Sequence, residues 1–152
     1  MLDRHLEKKI IDKYMQVPYR HHGRTMDGLD CYGLIKCIKE EQGFSVYDIN
    51  EEYDENWVFS SGRNYFIENY HRDWIRLDVC KPGDVVLFKT KLRYYDESGA
   101  VCVRSITNHG GVVISNQRFI HICKMGTLIT ELTNSRWVRK IDGFYRLKVE
   151  ND

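Results

Sequence analysis

Near residue 80 the apolar residues change from a helical period to a strand period, and this switch limits the chain more than any single motif. In "LEKKIIDKYMQ", residues 6–16, Leu6, Ile10, Ile11, Tyr14 and Met15 fall near one helical face, and Pro18 follows as a stop. From Cys31 to Gln42, Leu34, Ile35, Cys37 and Ile38 alternate with Lys and Glu, and Gly43 supplies a C-terminal stop. An acidic, aromatic-dotted connection, "DINEEYDENW", then leads to "GRNYFIENYHRDW", where a short helix is expected. Beyond residue 80 the runs "DVVLFKT", "AVCVRSI", "HGGVVIS", "RFIHIC", "GTLITEL" and "GFYRLKV" are β-branched and aromatic. Pro82-Gly83 opens the first, and "DESG" and "SNQ" turn later ones. Helices followed by a block of strands predict an α+β fold with five or six antiparallel strands, not alternating βα units.

At 152 residues the chain suits one domain, taken as residues 1–152, with one cleft. The 23 basic and 22 acidic residues leave a net charge of +1, so no overall field favours nucleic acid or an anionic membrane. The opening "MLDRHLEKKIIDKYM" lacks the apolar core of a secretory signal, and no stretch of about 20 apolar residues follows. The expectation is synthesis in a bacterial cytoplasm without membrane insertion. Five cysteines, an odd number with no C-x-x-C pair, suit reduced thiols better than a disulfide framework.

One of those thiols, Cys31, falls where the second helix should begin. Free N–H groups and the helix dipole there favour a thiolate, and the same amides can hold the oxyanion formed when sulfur attacks a carbonyl. Position alone does not separate this reading from burial as a packing residue. Among six histidines, His5 and His71 lie in charged context, and His21 and His22 sit in the loop before the helix. His109 and His121 occupy the two arms of an expected hairpin, "HGGVVISNQRFIH". If Asn116, Gln117 and Arg118 form a three-residue loop, Ser115 faces Phe119, Val113 faces His121, and both histidines share one face. A nucleophile, a base and an orienting group would then be within reach of one another. His121, between two isoleucines, also reads as a sheet histidine with a backbone partner. A zinc site using His109, His121, Cys102 and Cys123 lacks the usual ligand spacing.

Together "PYRHHGRTMDGLDCYGL", "KPGDVVLF", "NHGGVVISNQRFIH" and "GFYR" resemble the NlpC family of papain-like cell-wall endopeptidases, over roughly residues 5–148. The resemblance implies a papain-like α+β fold, with the catalytic cysteine at a helix N-terminus packed on the antiparallel sheet. It also implies Cys31 as nucleophile, His109 as base and His121 as the orienting residue. Tyr19 and Asp30 match cleft positions of the family, and Tyr32 stands where cellular members usually carry a substrate-binding serine. No metal or organic cofactor is implied. Tyr32, "GFSVYDINEEYDENW", "SRWVRK" and the closing "GFYRL" look like the phage-tail branch, which includes prophages and gene transfer agents. That branch implies a peptidoglycan stem peptide as substrate, tail-tip or hub proteins as partners, and a place in a phage-like tail. A structural tail component with little activity, a cytosolic enzyme recycling wall fragments, and an acyl transferase are the alternatives. Between Asp84 and His109 the chain is longer than the family's usual connection, and residues 91–108 read as an added hairpin beside the cleft or a contact for a neighbouring protein.

Overall fold

A computed structural model describes residues 2–48 and 72–151. Helix α1 runs Leu2–Tyr14, and after a short hairpin of β1 (Arg24–Thr25) and β2 (Gly28–Leu29) helix α2 runs Cys31–Glu41. Gln42 caps α2, and Gly43 takes a left-handed φ of +96°, the stop expected of a glycine there. The helix expected in "GRNYFIENYHRDW" lies almost wholly outside the described residues, and so does His71. The last residue of that segment, Trp74, instead opens strand β3 (Trp74–Leu77), whose four residues are too few to show a period in the sequence.

The remaining strands are β4 (Val85–Tyr95), β5 (Val101–Val113), β6 (Arg118–Cys123), β7 (Gly126–Glu131) and β8 (Ile141–Leu147). With β3 they form a six-stranded antiparallel sheet in the order β3-β8-β4-β5-β6-β7. The expected α+β architecture is therefore present. Two expected strands, "AVCVRSI" and "HGGVVIS", are one: β5 runs through "TNH" by means of a bulge, Phe88 pairing with His109 and Lys89 with Thr107. Asn108 is the extra residue. On the other side of β4, Leu87 pairs with Gly143 and Phe88 with Ile141, so Asp142 bulges at the same level.

Alternation along the strands divides the apolar residues between two cores. Val85, Leu87, Val112, Ile114, Ile120 and Ile122 pack with Ile10, Tyr14, Leu34, Ile35 and Ile38 of the helices. On the opposite face Val86, Phe88, Val113 and Phe119 form a smaller cluster with Trp137, Ile141 and Phe144. Buried ion pairs join the ends. Asp84 is 1% exposed and accepts from the Arg146 guanidinium at 2.7 Å and 2.8 Å, and from the Lys81 amide. Such a two-pronged, charge-assisted contact is among the stronger hydrogen-bonded arrangements. The "KPGD" and "FYR" motifs are thus two halves of one contact. Lys39, fully buried on α2, donates to the Gly83 carbonyl at 3.0 Å and to Glu150 at 2.8 Å, tying the helix to the β4 turn and the C-terminal segment.

β4 and β5 continue past the sheet as a two-stranded ribbon, because β8 pairs only with Val85–Phe88 and β6 only with Gly111–Val113. This ribbon is the hairpin expected at residues 91–108, and Asp96 closes its tip by accepting from Ser98 and the Ala100 amide. Among the described residues no helix is long and apolar enough to cross a membrane.

Candidate active site

The loop before α2 is built for close approach. A Cβ at Gly33 would lie 2.1 Å from the Gly23 carbonyl oxygen, and one at Gly23 would meet the Gly28 carbonyl at the same distance. Only glycine lets the first turn of α2 sit against this loop. Asp30 is the helix N-cap, its carboxylate accepting from the Gly33 amide at 2.7 Å. That contact satisfies one of the amide donors a helix leaves unpaired at its start. Arg24 bridges Asp30 at 2.8 Å and Asp48 at 3.0 Å, so an ion network holds the cap.

Cys31 begins the helix, half-buried against the larger core. Burial, followed by the adjacent Asp30 carboxylate, pushes its thiol up to about 12. The amides of Gly110 and Tyr32, which donate to the sulfur, and the Arg24 charge act in the opposite direction without overcoming those effects. The proton therefore rests on sulfur at neutral pH.

Gly110 immediately follows His109 on β5, so the sheet brings the base candidate beside the cysteine. The histidine pair is held more tightly. His109 Nε2 lies 2.8 Å from His121 Nδ1, and His121 Nε2 lies 2.9 Å from the Thr130 hydroxyl. Gly111, directly opposite His121, makes room for this contact: a Cβ there would lie 2.5 Å from the Ile120 carbonyl oxygen and 3.1 Å from the His121 Cβ. Trp137 packs across both rings, its centroid 5.3 Å from that of His109 and 4.8 Å from that of His121. Phe88 supports His109 at 5.8 Å, within the range of an aromatic ring contact. Burial drives both imidazoles toward neutrality, to about 3 for His109, where the charges of His121 and Lys140 add to it, and to about 4 for His121.

Among the described residues no hydrogen bond joins the Cys31 thiol to the His109 ring: sulfur meets the Gly110 amide, and His109 Nε2 meets His121. With His109 Nε2–H donating to His121, and His121 Nε2–H donating to Thr130, His109 Nδ1 is left as the acceptor. That tautomer is the one a base needs.

Same-face placement of the histidines follows the expected parity, but the turn differs. Val113 pairs with Phe119 and Gly111 with His121, so the three-residue loop is Ser115–Gln117 rather than residues 116–118. Ser115 sets this register, its hydroxyl accepting from the amides of Gln117 and Arg118. A shift of two keeps the faces and brings the histidines one same-face step nearer.

Tyr19 is half-buried and bridges to Leu29, beside the helix start. Asp30 and Tyr32 are turned to internal work. Asp30 is 5% exposed, while Tyr32, 4% exposed, donates its hydroxyl to the Tyr47 carbonyl and lies under the Arg24 guanidinium, 5.4 Å from ring centroid. The four zinc candidates do not converge: Cys102 donates to Asp96 on the ribbon and Cys123 to the Gly126 carbonyl. Thr130 and Trp137 were not anticipated as site residues. Thr130 was accessible through the parity of the "CKMG" turn, where Cys123 pairs with Gly126, whereas the placement of Trp137 is set by no local pattern.

The NlpC/P60 family profile matches residues 16–146. Among solved structures, an NLP/P60 protein from Staphylococcus aureus, described as similar to lipoprotein, superposes with a TM-score of 0.59 at 16% identity, over 95% of this chain and 41% of that one. A NlpC/P60 family protein from Bacillus cereus gives 0.61 at 16% identity, over 93% and 40%. The NlpC/p60 domain of the peptidoglycan hydrolase SagA gives 0.53 at 14% identity, over 95% and 98%. The chain thus spans about two fifths of the length of the first two proteins and nearly all of the third domain. Comparison with curated protein sequences finds no match. With the profile covering most of the chain, and the fold agreeing, the protein belongs to the NlpC/P60 family.

Proposed function

We infer that this domain is a cysteine peptidase acting on the peptidoglycan stem, with the bond between D-glutamate and the diamino acid as its target. Supporting this reading above all is the placement of Cys31 at the start of α2, against the amide next to His109, with His109 held by His121 and Thr130. His109 takes the thiol proton as sulfur attacks the carbonyl, and amides at the helix start hold the oxyanion. The imidazolium then gives its proton to the leaving amine, and water activated by His109 releases the acyl-enzyme. His121 fixes the ring's tautomer and orientation. Contacts of such pairs are often long without substrate and tighten when it binds. Tyr19 lines the cleft, while Asp30 and Tyr32 shape it from beneath.

Tyr32 and the "SRWVRK" segment support a place in a phage-like tail, made in the host cytoplasm and delivered to the wall with tail-tip or hub proteins. A second reading, a structural tail component with little activity, is favoured by the protonated thiol and by the separate hydrogen-bond partners of Cys31 and His109. Incubating the protein and a Cys31→Ala variant with peptidoglycan, followed by mass spectrometry of the fragments, separates the two. Cleavage at the D-glutamyl bond by the parent alone is expected. Equal failure by both, with the protein alone and in an assembled tail, would sink the peptidase reading.

A further inference from the structure

Several cations of this nearly neutral molecule have acidic partners: Lys8 with Asp12, Lys36 with Glu40, Lys39 with Glu150, Arg118 with Glu7. Four others are gathered around one hollow. Lys89, Lys91, Arg139 and Lys140 line an open cavity of about 310 Å³ together with Thr90 and Ser105. None of the four forms an ion pair among the described residues; Lys140 only lies over the Trp137 ring, 5.6 Å from its centroid. Packing like charges together raises their mutual repulsion, and an anion in the cavity removes it.

The fold explains how the cluster arises. Lys89 and Lys91 share one face of β4 just past the bulge, and Ser105 stands opposite Lys91 on β5. β8 leaves β4 at Phe88, so the 3-10 turn Val138–Lys140, which leads into β8, lies against the ribbon's base and brings Arg139 and Lys140 to the same hollow. A chain of contacts links the cavity to the catalytic candidates: Lys140 lies over the Trp137 ring, and Trp137 packs on the His109 ring.

Building on the peptidase reading, we propose that this cavity is a substrate subsite that binds a carboxylate carried by the peptide. Arg139 offers a planar pair of N–H donors to such a group, the lysines supply charge, and the Ser105 hydroxyl adds a hydrogen bond.

The test uses the Cys31→Ala protein, so binding is read without turnover. Calorimetric titration compares an acidic stem peptide with the same peptide whose carboxylates are amidated, and both with Lys91→Gln/Arg139→Gln added. The free acid should bind about tenfold more tightly than the amide, the advantage should fade as salt is raised, and the double variant should abolish it. Lys91→Arg/Arg139→Lys should keep much of it. Thermal melts confirm that the variants, altered at exposed positions, remain folded. Equal binding of acid and amide, or no binding of either, overturns the subsite. Charge-dependent binding in a protein that cleaves no peptide would leave the subsite and remove the peptidase reading. Cleavage of the stem with charge-blind binding would do the reverse.

Discussion

His109 derives its character from what surrounds it. Two rings, a tryptophan face and a bulged strand keep it neutral and aimed, so it can accept a proton where a solvated histidine would already be partly charged. Thr130 acts only through His121. Thr130→Val should lower kcat about tenfold with KM little changed, and Thr130→Ser should restore it, since a small misplacement of the base is costly. At Cys31 the raised pKa predicts alkylation by iodoacetamide that climbs with pH and shows no thiolate plateau near neutrality. A plateau below pH 7 would show that a standing thiolate–imidazolium pair exists instead.

At the scale of elements, the site depends on how closely α2 meets its loop and how β5 is bent. Gly33 and Gly23 let backbone pass against backbone, and any side chain there would push Cys31 away from β5. One buried pair ties the start of β4 to β8. Asp84→Asn leaves the Arg146 guanidinium without its countercharge, and denaturant melts should show a loss of about 3–5 kcal/mol, far above that of a surface ion pair such as Lys8–Asp12. The bulge at Asn108 is equally consequential. Because side chains alternate along a strand, without it either His109 or the ribbon strand before it would present the opposite face.

For the whole molecule, one face of the sheet and Trp137 enclose a pair of neutral histidines, which makes stability depend on acidity. Both native pKa values lie below the unfolded value of 6.5, so below that pH the unfolded chain binds more protons. Stability from this source is fully present above about pH 6.5 and falls as pH drops toward about 4 and below. Thermal melts across that range should show the loss, and His121→Gln should flatten it. Charge is unevenly spread as well: a balanced composition conceals one basic hollow at the ribbon's base.

The periods of the sequence determined the α+β class, helix α2 with Cys31 at its head, and the parity that puts His109 and His121 on one face, because each depends on neighbours a few residues away. Tertiary structure decided what distance along the chain conceals. The fusion of two expected strands through Asn108 needed the pairing of β4 with both β5 and β8. Arg24 and the Tyr47 carbonyl reach Asp30 and Tyr32 only through the fold. Trp137 covers the histidines, and Arg139 and Lys140 join Lys89 and Lys91, only because β8 returns beside β4. Local physics writes periodicity into a sequence, whereas burial and charge proximity exist only once distant segments are packed.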